Sequence, residues 1–137
     1  MATPPRVSKR QYEVLARFRY ELRRYMRYSE EVTRQHGVTP LQYQLLLQVK
    51  GYPDREYATV SELAERLQAK HHGVVSLVTR CERAGLVGRR PATEDRRMVY
   101  VHLTAKGQRC LEHLAELHRG ELLKLHGQFF VPDKDDF

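Results

Sequence analysis

Apolar residues recur at three- and four-residue steps through most of this chain, then at every second residue over one later stretch. Leu15, Phe18, Leu22, Tyr25, Met26 and Val32 follow the first spacing, with Arg17, Arg19, Arg23, Arg24 and Arg27 on the other faces. That predicts a helix over residues 8–35, ending near Gly37. Leu41, Leu45, Leu46 and Val49 predict the inward stripe of a second helix from Pro40 to Lys50. Leu63, Ala64 and Leu67 mark a short helix over 60–68, and Val74, Leu77, Val78 and Cys81 one side of another over 71–84. Start signals agree: Ser8 with Gln11, Thr39 with Gln42 and Thr59 with Glu62 have the capping-box spacing, and Pro40 takes the favoured first helical position. Residues 51–55 have the turn chemistry of a loop, and Gly85 supplies a helix stop.

After Gly85 the period falls to two, so residues 86–90 and 98–103 read as strands. Val99, Val101 and Leu103 face one way, and Met98, Tyr100 and His102 the other. The link from Ala92 to Arg97 is nearly all polar and too long for a two-residue turn. Thr104 caps a long helix carrying Leu111, Leu114, Leu117, Leu122 and Leu125. Pro132 and the acidic residues 133–136 predict a frayed tail over 131–137.

Length and charge narrow the picture. A chain of 137 residues suits one domain and needs neither metal nor disulfide to hold its core. The net charge of +7 points toward a polyanion, and it is uneven: +6 over residues 1–50, +2 over 51–103 and −1 over 104–137. The middle surplus clusters on Arg66, Lys70, Arg80, Arg83, Arg89, Arg90, Arg96 and Arg97. No stretch has the length of a membrane span, and Met1 to Arg10 lacks the apolar core of a signal peptide. Cys81 and Cys110 do not make a disulfide scaffold. A soluble cytoplasmic protein, away from membranes, is expected.

Short helix, tight turn, second helix, then a β-hairpin with a basic tip: this order is a winged helix-turn-helix. The fold class expected is mainly α with a small β-hairpin, flanked by long N- and C-terminal helices. In such a fold the second helix enters the major groove and its outward residues reach base edges. With Val74, Leu77, Val78 and Cys81 turned inward, the outward set is His72, Ser76, Thr79 and Arg83, flanked by Lys70, His71 and Arg80. These are short hydrogen-bonding groups and cations, suited to base edges and phosphates. Arg89 and Arg90 on the hairpin, and Arg96 and Arg97 at its tip, extend the basic surface; an arginine at the tip suits a narrow minor groove. Asp95 there repels phosphate unless it holds a neighbouring arginine in place by a charge-assisted hydrogen bond.

Leu63-Ala64-Glu65-Arg66-Leu67, Val78-Thr79-Arg80-Cys81-Glu82-Arg83-Ala84-Gly85-Leu86-Val87, Asp95-Arg96-Arg97 and Leu103-Thr104-Ala105-Lys106-Gly107 together resemble the MarR family of bacterial transcription regulators. The resemblance covers about residues 8–126. It implies a homodimer on double-stranded DNA with a pseudo-palindromic operator, usually a repressor released by a small aromatic or phenolic effector or by an oxidant. It gives Arg97 the minor-groove role, Asp95 the task of orienting it, and Arg80 the support of the recognition helix and its phosphate contacts. Residues 8–35 and 104–130 become the dimerisation region and 39–103 the DNA-binding lobe. Family members usually add a last helix to the dimer interface. This sequence stops soon after Phe129-Phe130-Val131-Pro132, which leaves a dimer to helices 8–35 and 104–126, with a monomer as the other outcome. Cys81 departs from the large aliphatic residue usual at its position.

Other chemistries fare less well. Cys81 and Cys110 read as small core residues rather than sensors. His71 and His72 point to different helix faces, and His113 and His118 are five apart, so neither pair chelates an ion; no metal and no cofactor are expected. Tyr12, Tyr20, Tyr25, Tyr28 and Tyr43 lie where the family places its effector pocket, but read first as ordinary interface residues. There is no Gly-rich phosphate loop, no Gly-x-Ser-x-Gly elbow and no His-Glu-x-x-His pair, so no enzyme is predicted. The alternative of another class is a winged helix that meets an acidic protein partner.

Overall fold

Four helices begin on a hydroxyl. In the computed structural model, which describes residues 3, 5–125 and 129–137, Ser8, Thr39 and Thr59 each accept the backbone N–H three residues on, and Gln11, Gln42 and Glu62 return the bond. They open α1 (Lys9–Gln35), α2 (Pro40–Lys50) and α3 (Val60–Leu67). Thr104 opens α5 (Ala105–Lys124) by accepting from the Gly107 N–H. The helix between them, α4 (His71–Arg83), has no such cap: Lys70 offers its first N–H groups no side chain. Gly37 and Gly85, at φ +79° and +77°, turn the chain out of α1 and α4.

The sheet has three strands where the sequence predicts a hairpin of two. β1 (Tyr57–Thr59) joins β2 (Val87–Pro91) and β3 (Val99–Leu103) in the order β1-β3-β2, antiparallel throughout. Ala58 pairs with Val101 and Arg89 pairs with Val101 from the other side. Three residues running straight into a helix cap show no alternation from which a strand can be read.

α2 lies at the centre. Leu45, Leu46 and Val49 pack there with Leu63 of α3, Val74, Val78 and Cys81 of α4, Val101 of β3 and Leu114 of α5, all fully buried. Leu41, expected inward, is 51% exposed in the first turn of α2, and Tyr43 is buried instead. On α1 the predicted stripe is present, yet only Val32 and Thr33 are buried among the described residues of that helix. Leu15 and Met26 remain 47% exposed, and Leu122 near the end of α5 is 50% exposed. Where α1 does meet α5, the buried His118 is the pin. Its ring nitrogens lie 2.7 Å from the Leu114 carbonyl and 2.8 Å from the Ser29 hydroxyl. Tyr43 stacks on it at 4.3 Å, and Tyr25 and Tyr28 meet it edge-on, so these three tyrosines serve packing between helices.

The tail is not frayed. Residues 134–136 form a 3-10 turn capped by Asp133. Phe130 lies under the Arg17 guanidinium at 4.4 Å, and Gln11 donates to the Phe137 carbonyl at 3.0 Å. A cation–π contact and a long-range hydrogen bond thus return it to α1, which the acidic composition alone does not suggest. The predicted dimerisation region spans residues 126–128, which lie outside the described residues. No helix among the described residues is long and apolar enough to cross a membrane.

Candidate nucleic-acid interface

The turn between α3 and α4 is made by Gln68 in the left-handed region, φ +51°, with the Ala69 N–H returning to the Ala64 carbonyl at 3.0 Å. This sets α4 across α3 with Val74, Leu77, Val78 and Cys81 in the core. The opposite face carries Lys70, His71, His72, Ser76, Arg80 and Arg83, all exposed, and Thr79, half-buried. Ser76 and Thr79 donate to the carbonyls of His72 and Val75, at 3.2 and 3.0 Å; the Ser76 oxygen keeps its lone pairs outward as acceptors, while the Thr79 oxygen also accepts from Arg89. The uncapped N–H groups at the start of α4, beside Lys70, complete a surface of donors and positive charge.

The hairpin arginines divide into two roles. Arg89 turns back onto α4: it pairs with Glu82 at 2.8 Å and donates to the Thr79 hydroxyl at 3.1 Å. It therefore fixes the strand against α4 instead of standing free beside it. Arg90 lies over the Tyr57 and Tyr100 rings, at 5.0 and 5.9 Å. Those rings are 4.5 Å apart, and the stack continues through Arg55, over both Tyr57 and Tyr52, to Arg66, over Tyr52. Arg55 also pairs with Glu62, tying the ladder to the cap of α3. The sequence reading misses this ladder, whose signal is the alternation Tyr52, Arg55, Tyr57.

At the tip, Asp95 grips Arg97 three ways. Its Oδ1 accepts from the Arg97 backbone N–H at 2.9 Å and from Nε at 3.2 Å, and Oδ2 accepts from Nη2 at 3.3 Å. These bonds from Arg97 hold the Asp95 carboxyl below its usual range. Arg97 is nevertheless 91% exposed, so a fixed guanidinium projects into solvent. Arg96 beside it is exposed. The loop is anchored by buried Ala92, whose N–H donates to the Met98 carbonyl, and by Tyr100, which donates to Glu94 at 2.5 Å. Among the described residues Lys70, Arg80, Arg83, Arg90 and Arg96 make no ion pair.

Cys81 is fully buried behind this face, and burial pushes its thiol up to about 11; burial also raises Cys110. Neither cysteine has the depressed pKa of a reactive thiolate. Among the described residues no group of three or more His, Cys, Asp or Glu side chains is gathered as a metal site.

A family model described as "MarR family" matches residues 36–98. The HTH-type transcriptional repressor MdtR of Bacillus subtilis (strain 168) is 35% identical over 77 residues, 56% of this chain and 48% of that repressor, so the match spans about half of its length. AbsC, a MarR family transcriptional regulator from Streptomyces coelicolor, has a similar crystal structure, with a TM-score of 0.80 at 20% identity over 93% of this chain and 86% of AbsC. A mutant MarR from E. coli, solved in complex with operator DNA, gives a TM-score of 0.67 at 23% identity over 79% of this chain and 74% of that one. At such identities the two structures support the fold: mainly helical, with a small sheet and a wing.

Proposed function

We propose that this chain is a MarR-type transcriptional regulator that binds duplex DNA as a homodimer, with α4 in the major groove and the wing beside it; the match of residues 36–98 to the MarR family model and the likeness to MdtR support the reading. The observation that carries the reading is the Asp95–Arg97 clamp, a guanidinium held rigid yet left open to solvent. A free arginine side chain carries about 2 kcal/mol of rotamer entropy, and a clamped one has already lost much of it before meeting DNA. The E. coli MarR bound to operator DNA and the repressor MdtR support DNA binding and repression by likeness. Release by a small aromatic or phenolic effector follows from the family resemblance alone.

The proposed roles differ by residue. His72, Ser76, Thr79 and Arg83 address base edges, Lys70, His71 and Arg80 phosphates, and Arg97 with Arg96 the minor groove, while Arg89 and Arg90 hold the wing in position. The dimer follows from the apolar residues of α1 and α5 left without a partner, among them Leu15, Met26, Leu122 and Leu123, the last 69% exposed. A two-fold axis through those helices presents two copies of α4 to one side of a duplex.

Salt dependence tests the reading. A dimer contacting about 6–10 phosphates should lose roughly 10³–10⁵ in duplex affinity between about 50 and 200 mM salt, with a straight line of log Kd against log salt. A flat line, or stronger binding to an acidic polypeptide than to duplex DNA, removes the DNA reading and favours a protein-interaction module.

A further inference from the structure

We infer that Arg55 and Tyr100 are positioning residues that fix the angle of the wing against the helix-turn-helix. With the DNA reading above, on which this step rests, they thereby set the distance between the major-groove and minor-groove contacts. The sheet register puts the parts on one face. Tyr57 pairs with His102 and Arg90 pairs with Tyr100, so Tyr57, Tyr100 and Arg90 share the face turned away from the buried Val101. On that face Arg90 lies over both tyrosine rings, and Arg55 lies over Tyr57 from the loop before β1.

Each end of this stack is tied to a different element. At one end Arg55 pairs with one Glu62 oxygen, while the other accepts the Thr59 N–H at 2.9 Å and closes the cap of α3. Arg55 is thus fastened to the first helix of the helix-turn-helix. At the other end the Tyr100 hydroxyl donates to Glu94 at 2.5 Å, and Glu94 immediately precedes Asp95, which clamps Arg97. The Tyr100 bond holds the Glu94 carboxyl below its usual range, and the Arg55 charge adds to this. Between the two ends, the Tyr57 and Tyr100 rings are 4.5 Å apart. Other bonds of the wing serve other ends. Ala92 N–H donates to the Met98 carbonyl at 3.0 Å and Met98 N–H to the Asp95 carbonyl at 2.9 Å, and both lie within the hairpin. They shape the tip without aiming it. Arg89 holds β2 to α4 at the root of the hairpin, and beyond the root the tie runs through Tyr100. Lysine is no substitute for Arg55: a planar guanidinium stacks on rings while it pairs with a carboxylate, and a compact ammonium does not.

The test joins backbone amide relaxation of the whole chain to duplex selection, in Tyr100→Phe, which removes only the hydroxyl, and in Arg55→Lys. Melting curves check that both variants fold. Without DNA, the order parameters of the Arg96 and Arg97 amides should fall from about 0.85 toward about 0.6 in Tyr100→Phe. With DNA, each variant should lose about threefold to tenfold in duplex affinity, the scale of one hydrogen bond. The half-site met by α4 should stay the same while the preference in the flanking base pairs weakens; a fold merely loosened would lose both together. Order parameters unchanged in Tyr100→Phe, or a flanking preference as strong in both variants as in the parent, overturns the inference. Order parameters that fall in a chain whose parent selects no duplex uphold the tie between Tyr100 and the wing and remove the DNA reading instead.

Discussion

Gly107→Ala is expected to lower the melting temperature by roughly 10 °C or more, or to leave the chain unfolded. A Cβ at Gly107 would stand 1.9 Å from the Leu86 carbonyl oxygen and 2.9 Å from its carbon, both backbone atoms with no rotamer to change. The approach is built in. The same Leu86 carbonyl accepts from the Thr104 N–H at 3.1 Å, the Thr104 hydroxyl donates to the Gly85 carbonyl at 2.6 Å, and Gly107 N–H caps back onto that hydroxyl at 3.0 Å. The end of α4, the start of β2 and the first turn of α5 are locked at one point. Overpacking costs about 1–3 kcal/mol where side chains can give; backbone against backbone lies at or beyond the top of that range. A domain of this size has about 5–15 kcal/mol in hand, and each kcal/mol moves its melting point by several degrees. Gly73→Ala is the control: it lies in α4 with nothing within 4 Å, and should gain roughly 0.5–1 kcal/mol from helix propensity. Equal melting points for Gly107→Ala and the parent would show that the junction is not as tight as described.

Arg97→Ala should separate function from stability. Its pair with Asp95 lies on the surface and contributes little to folding, so the melting point should hold. Duplex affinity should fall about 10- to 100-fold for each wing engaged, since a specific arginine contact is worth about 1–3 kcal/mol, and a dimer engages two. Asp95→Asn keeps the guanidinium but removes the charge that orients it, so a smaller loss is expected, in the same direction. Affinity unchanged in Arg97→Ala would remove the wing from the interface. Affinity raised in Asp95→Asn would mean that Asp95 acts as a repelling charge and not as a clamp.

The elements that could be read from sequence are those whose causes are local. Ser8, Thr39, Thr59 and Thr104 announce their helices because a cap and its partner sit three residues apart. The inward face of α4 follows from spacing alone. Asp95 and Arg97, two residues apart, could be paired on charge. What escaped depends on residues distant in the chain. Nothing local says that Arg89 would return to Glu82 and Thr79, or that Arg90 would lie over Tyr57 and Tyr100. Gln11 meets the Phe137 carbonyl from the other end of the chain, so composition alone reads the tail as frayed. His36, which caps the end of α1, lies 3.0 Å from His113 of α5 between their Nε2 atoms, and neighbour spacing could not pair them. The apolar stripe of α1 was visible, but the sequence could not show that this chain leaves most of it uncovered.

The central claim is that two copies of α4, each with its clamped wing, read DNA together. Selecting bound duplexes from a random pool tests it most directly. The account predicts a two-fold symmetric consensus whose half-sites lie about one helical turn apart, with a flanking narrow-groove A·T preference that disappears with Arg97→Ala. A single asymmetric site, or no enrichment over the starting pool, would contradict it.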